Sequence, residues 1–230
     1  MPDPAPVPPN IARPRAPGRP RDPAKRVAIV NAAHRLFVLH GLGGVSMEAV
    51  AAAAGVSKMT LYSHFKDKER LFEEVVSSTS EGMIAEMSRT QNAGGTLGEA
   101  LAALGRAFLS LVCSTDIVAA ERNLMAALAG NRRLAERFYA AGPARTETAV
   151  AAVLRAAAAR GELAIDDPAE AAVDLLALWQ GNVLKRLSLG LQAPPSAEEI
   201  ALRSQRKTAT FLRAYAGNGT SAGLAKAPES

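Results

Sequence analysis

Lys58, Met59, Thr60, Tyr62, Ser63 and His64 fall within seven consecutive positions, interrupted only by the apolar Leu61. The segment gathers an ammonium, an imidazole, a phenol and two hydroxyls, with one methyl-bearing thioether. Phosphate oxygens accept hydrogen bonds from each of these donors. In a DNA major groove, Lys58 suits a guanine edge, and the Thr60 or Met59 methyl suits thymine. Catalysis needs other parts. The single cysteine, Cys113, has no plausible His partner, and the chain contains no HExxH, no phosphate-binding P-loop and no Gly-rich dinucleotide turn. Glu162, Asp166 and Asp167 read as part of an exposed turn. No enzyme activity, cofactor or metal site is expected, and one cysteine in an apolar stretch can form no internal disulfide.

Such a row of side chains needs a short, rigid rod, and the flanking sequence supplies one. In "SMEAVAAAAGV", Ser46 can cap a helix with Glu48 in its first turn, and Gly55 can close it in the left-handed conformation. Ser57 can cap another helix two residues later, running to about Phe65. Val50, Val56 and Leu61 supply a buried face, and Ala51 is small where the two helices must approach. Before them, "PAKRVAIVNAAHRLFVLHG" sets Ile29, Val30, Ala33, Leu36 and Phe37 on one helical stripe that stops at Gly41. After them, Asp67 caps a longer helix carrying Leu71, Val75, Met83, Ile84 and Met87. Two short helices around a glycine turn form a helix-turn-helix, which fits its second helix into a major groove.

The stretch "LFVLHGLGGVSMEAVAAAAGVSKMTLYSHFKDKERLF" resembles the DNA-binding domain of the TetR family of bacterial transcriptional regulators, over about Arg26 to Val76. The resemblance implies that Ser46, Tyr62 and His64 donate to phosphates. Lys68 joins them on physical grounds, because a cation beside the free N–H groups of a helix start attracts an anion. Lys58, Met59 and Thr60 are then the base readers, with Ser57 and Ser63 completing the DNA-binding set. Ser46 stands where Thr is usual and Val50 where Ile is usual, and Met59 falls at a variable position. These departures bear on the operator sequence, not on the activity.

Charge supports the assignment. Residues 1–70 hold 11 Lys or Arg against 5 Asp or Glu, whereas the whole chain balances 27 against 22, leaving the remainder nearly neutral. A basic first third suits a polyanion. Its leading segment is rich in Pro and Arg with little to bury, so 1–22 reads as a disordered arm. Within it, Gly18-Arg19-Pro20-Arg21 is similar to the core of AT-hook segments, which places Arg19 and Arg21 as minor-groove candidates.

The composition, 48% apolar with only 4% aromatic, is Ala-rich and poor in β-formers, so an all-α protein is expected. The domain boundaries read as a helix-turn-helix domain at 23–70, a larger helical domain at 71–217 and a flexible tail at 218–230. Beyond "NAGGT" the pattern gives helices at about Leu97–Ser114, Asp116–Ala129, Asn131–Ala141, Pro143–Arg160, Ala169–Leu189 and Ser196–Ala216. The resemblance implies that this larger part binds an effector and dimerises. Dimerisation would let two recognition helices meet half-sites roughly 34–36 Å apart. Leu175, Leu178, Trp179, Asn182, Val183, Phe211 and Leu212 are the interface candidates. Met83, Met87, Phe108, Val112, Cys113, Met125, Phe138, Tyr139 and Trp179 are candidates for a cavity among helices four to eight, suited to an apolar small-molecule effector. Helix four is expected to be the only element touching both parts. The expected partners are double-stranded operator DNA, a second copy of the chain and that effector. With no signal-like or membrane-length apolar run, a cytoplasmic location is expected and no membrane partner.

Overall fold

The computed structural model describes residues 22–91 and 95–216, without the side chains of 86–91 and 122. Helices account for the architecture: α1 (Pro23–His40), α2 (Met47–Ala53), α3 (Lys58–His64), α4 (Lys68–Gln91), α5 (Leu97–Val112), α6 (Thr115–Leu128), α7 (Arg132–Ala141), α8 (Pro143–Ala159), α9 (Pro168–Gln180), α10 (Val183–Ser188) and α11 (Ala197–Ala214). Among the described residues the only β pairing is an isolated bridge between Leu163 and Ala216.

Local chemistry sets the helix ends. Asp22 Oδ1 accepts from the Ala24 N–H at 3.0 Å and Ser46 Oγ from the Ala49 N–H at 3.1 Å, each satisfying a donor that the first helical turn leaves open. α5 and α11 begin with reciprocal capping boxes, Thr96 with Glu99 and Ser196 with Glu199. Gly55 sits at φ +65°, the left-handed conformation that lets the chain turn sharply from α2 to α3.

The expected single helix over Ala169–Leu189 is instead two, α9 and α10. Gly181 breaks it at φ +49°, ψ −126°, and Asn182 follows without a side-chain cap. Arg203 of α11 stabilises the break by donating to the freed carbonyls of Trp179 (2.6 Å) and Gln180 (2.7 Å). The apolar period continued across the break, so it gave no warning. The freed carbonyls needed a partner far along the chain.

Two hydrophobic cores result. One joins α1 to α4 around Ile29, Val50, Leu61 and Leu71, and receives Leu134 from α7. The other joins α5, α8, α9, α10 and α11 around Leu104, Leu154, Leu175, Trp179 and Phe211. This corrects part of the interface expectation. Leu175, Trp179 and Phe211 are 0% exposed and Val183 6% exposed within one chain, so they have no surface to offer a second copy. Trp179 also donates its Nε1–H to Thr208 Oγ1 at 3.1 Å inside that core. Leu178 and Leu212 are half-buried and Asn182 is exposed.

The connection between the two cores is broader than one helix. α4 runs through both, and α1 also packs directly on α6. Helix four is therefore not the sole link. Among the described residues, no single helix is long and apolar enough to cross a membrane.

Candidate nucleic-acid interface and internal cavity

α3 exposes the side chains that its sequence period predicts. Leu61 is fully buried beneath it, and Phe65 at its C-terminal end is 4% exposed, as an anchor should be. Met59 is 84% exposed and Tyr62 46%, so Tyr62 is not a core aromatic. Lys58 and Ser63 are exposed as well, while Thr60 and His64 are half-buried. The His64 ring lies 6.4 Å from that of Phe65.

Several of these groups already have partners. Ser57 Oγ accepts from the Thr60 N–H at 3.1 Å and shares a 2.9 Å hydrogen bond with Thr60 Oγ1, and Ser63 Oγ donates to the Thr60 carbonyl at 2.7 Å. Ser57 and Ser63 thus hold α3 together at its start and middle. Lys58 Nζ lies 3.0 Å from Glu48 Oε1 of α2. Its hydrogen bond and charge hold the Glu48 carboxyl below the usual carboxylate range. Lys68 Nζ donates to the Val45 carbonyl at 3.0 Å, tying the start of α4 to the turn before Ser46. An ammonium has three donors, so both lysines retain N–H groups for an anion.

Behind this surface, Arg26 of α1 lies 4.8 Å over the Phe65 ring and pairs with Glu74 of α4 at 2.7 Å. That clamp fixes α3 relative to its neighbours. It was not foreseen from the sequence, because Arg26, Phe65 and Glu74 share no local period. Arg19 and Arg21 lie outside the described residues.

Between the two cores lies a cavity of about 470 Å³. Of the expected lining residues, Met83, Phe108, Val112, Met125 and Phe138 are there. Cys113 and Trp179 are instead part of the larger core, and burial pushes the Cys113 thiol pKa up. Tyr139 faces outward at 50% exposure, and its hydroxyl donates to both Glu147 oxygens at 2.7 and 2.8 Å. The Met87 side chain lies outside the described residues.

The cavity also has walls the sequence did not announce. α1 contributes His34, Phe37 and Val38, and the turn after it contributes Leu42. α6 and α8 contribute Glu121 and Glu147. The Phe72 and Phe138 rings stack at 6.2 Å, with Phe37 edge-on to Phe72 at 5.9 Å. Helix α1 therefore belongs at once to the helix-turn-helix core and to the cavity wall. No group of His, Cys, Asp and Glu among the described residues is arranged to hold a metal ion.

Comparison with known proteins agrees with this architecture. The family model described as bacterial regulatory proteins, tetR family, matches residues 29–75, and that of the AefR-like transcriptional repressor C-terminal domain matches residues 99–217. The chain is 42% identical over 62 residues to the HTH-type transcriptional regulator AcrR of Shigella flexneri, covering 27% of this chain and 28% of that one. It is 35% identical over 60 residues to the regulator UidR of Escherichia coli K12, covering 26% and 31%. These similarities thus span less than a third of either relative. Whole-fold likeness is wider. A TetR-family regulator from Mesorhizobium loti superposes with TM-score 0.73 at 26% identity, over 86% of this chain and all of that one. The flavonoid-responsive regulator FrrA superposes with TM-score 0.67 at 32% identity, over 85% and 98%.

Proposed function

Because the chain belongs to the TetR family of bacterial transcriptional regulators, we propose that it is a repressor that binds operator DNA as a dimer and is released by a small, largely apolar effector. The observation that carries this reading is the cavity wall shared by α1 and the effector-domain helices. Anything that fills the cavity presses on Phe37 and Val38, two residues of the helix on which α2 packs, and α2 in turn packs on α3. By linkage, an effector that favours a different setting of α1 lowers DNA affinity by the factor with which DNA lowers effector affinity.

On DNA, Ser46, Tyr62, His64 and Lys68 hold phosphates, and Lys58, Met59 and Thr60 face base edges. Arg19 and Arg21 reach an adjacent minor groove. The repressor sign is supported by the description of the family matching residues 99–217. The second copy packs on α9 and α11, where Val173 and Leu202 are exposed large apolar side chains and Leu178 and Leu212 keep surface, with Asn182 exposed at the break that follows α9. A DNA-binding role places the protein in the cytoplasm. FrrA, the 32% identical regulator, responds to flavonoids, which favours a planar aromatic effector as a second reading.

Genome-wide mapping of bound DNA, followed by gel-shift titration of the sites recovered, tests the proposal. Salt-sensitive binding of a palindromic duplex by a dimer supports it. Absence of binding to any mapped fragment at low salt refutes it.

A further inference from the structure

We propose that a second cleft, walled by the end of α5, by α10 and by the start of α11, binds a small monocarboxylate between Arg186 and Arg203. The cleft measures about 450 Å³ and shares no lining residue with the cavity between the two cores. Its floor is apolar: Leu109, Val183 and Ile200 are buried, and Cys113 is 2% exposed. Its charged lining is Arg186, Arg203 and Glu199, two guanidiniums against one carboxylate, which leaves an excess of one positive charge. One unmatched positive charge above an apolar floor suits an anion of single charge with a short hydrocarbon body.

The donors are held in place and left partly unfilled. Arg203 donates from Nε to the Trp179 carbonyl at 2.6 Å and from Nη2 to the Gln180 carbonyl at 2.7 Å, at the break after α9. That anchoring fixes the guanidinium and leaves Nη1 open. Arg186 donates from Nε to Gln192 Oε1 at 2.9 Å, and both of its Nη groups remain open. Neither guanidinium has an acidic partner among the described residues. Glu199 is engaged elsewhere, its Oε2 accepting the Ser196 N–H at 2.7 Å in the α11 capping box. The Asn182 amide, also in the lining, makes no hydrogen bond among the described residues and adds a neutral donor. Burial raises the Cys113 thiol pKa and the Arg203 charge opposes it, so that charge reaches the floor of the cleft. A guanidinium with free N–H groups takes a carboxylate in a fork, and one already anchored loses little side-chain freedom on binding.

Benzoate and benzamide share a shape and differ in charge, so calorimetric titration of both into the full-length, DNA-free protein isolates the charge preference. Benzoate should bind at least about tenfold tighter than benzamide, and tighter than inorganic phosphate, whose second charge finds no partner and which leaves the apolar floor uncovered. Arg186→Gln should weaken benzoate roughly tenfold. Lys185→Gln removes an equal charge one residue away and outside the lining, and should change the affinity less than about twofold. Arg186 is exposed and makes no ion pair, so its variant should melt within about 1 °C of the wild type. Benzoate held in the cavity between the cores would keep its affinity in Arg186→Gln, which separates the two places. Equal affinity for benzamide or phosphate, a benzoate affinity unmoved by Arg186→Gln, or one lowered as much by Lys185→Gln, would overturn the inference. The operator reading does not depend on this cleft and stands or falls on its own gel-shift test.

Discussion

Replacing Tyr62 with Phe tests the proposed DNA interface with one atom. The Tyr62 side chain is 46% exposed, and its hydroxyl has no hydrogen-bond partner among the described residues. Folding therefore gains nothing from that oxygen, and Tyr62→Phe should melt within about 1 °C of the wild type. On DNA the hydroxyl would donate to an ionised phosphate, a hydrogen bond worth about 1.5 kcal/mol or somewhat more. A dimer carries two copies, so the loss sums to ~3 kcal/mol, or roughly one hundred- to two hundred-fold in affinity for a palindromic site. Because a neutral donor displaces no counterion, the slope of log affinity against log salt should stay the same. Lys68→Met should behave differently, with the slope falling by about 0.9 for each phosphate released. Fluorescence anisotropy of a labelled operator duplex at several salt concentrations, beside a melting curve, gives all three quantities. Wild-type affinity in Tyr62→Phe would refute the phosphate role, and a large drop in melting temperature would show the hydroxyl to be structural.

Glu48→Gln removes the carboxylate that now holds Lys58 3.0 Å away and takes a negative charge from the face proposed to meet DNA. Affinity for operator and scrambled duplexes should both rise in competition anisotropy, with less discrimination between them; unchanged discrimination would exclude Lys58 as a base reader. The Arg137 guanidinium holds the Glu73 carboxyl below the usual carboxylate range, outweighing the desolvation that raises it. A depressed carboxyl stabilises the fold above its unfolded pKa and loses that contribution as pH falls through its folded one. The stability difference between wild type and Glu73→Gln should therefore be full near neutrality and shrink toward about pH 3, so a constant difference in denaturant titrations across that range would contradict the ion pair. Gly55→Ala meets no atom within 4 Å but must hold φ +65°, so the cost is purely conformational. It should be ~1–2 kcal/mol, lowering the melting temperature by roughly 2–8 °C, with Gly55→Asn milder; a melt identical to the wild type would show that the turn tolerates a Cβ.

The helix-turn-helix was legible in the sequence because its determinants are local. Ser46 and Ser57 cap helices whose first turns lie three residues away, Gly55 supplies the turn, and Leu61 and Phe65 recur at helical spacing beneath an exposed row. The exposure of Lys58, Met59, Tyr62 and Ser63 follows from the same period. The apolar stripe of α9 was also visible, but its destination was not. A stripe that buries Leu175 and Trp179 against α5 and α11 looks the same in sequence as one that faces a second copy. The break at Gly181 depended on Arg203, far along the chain.

The sequence by itself determined the helical class, the caps and the outward face of α3, because each depends on residues within a turn or two of one another. Only the tertiary structure decided that α1 forms a cavity wall, that Cys113 and Trp179 belong to core, and that Glu121 and Glu147 face one space from different helices. The physical reason is distance along the chain: helix packing selects among several apolar faces of similar strength. That selection depends on the fit of whole surfaces, which no local spacing records.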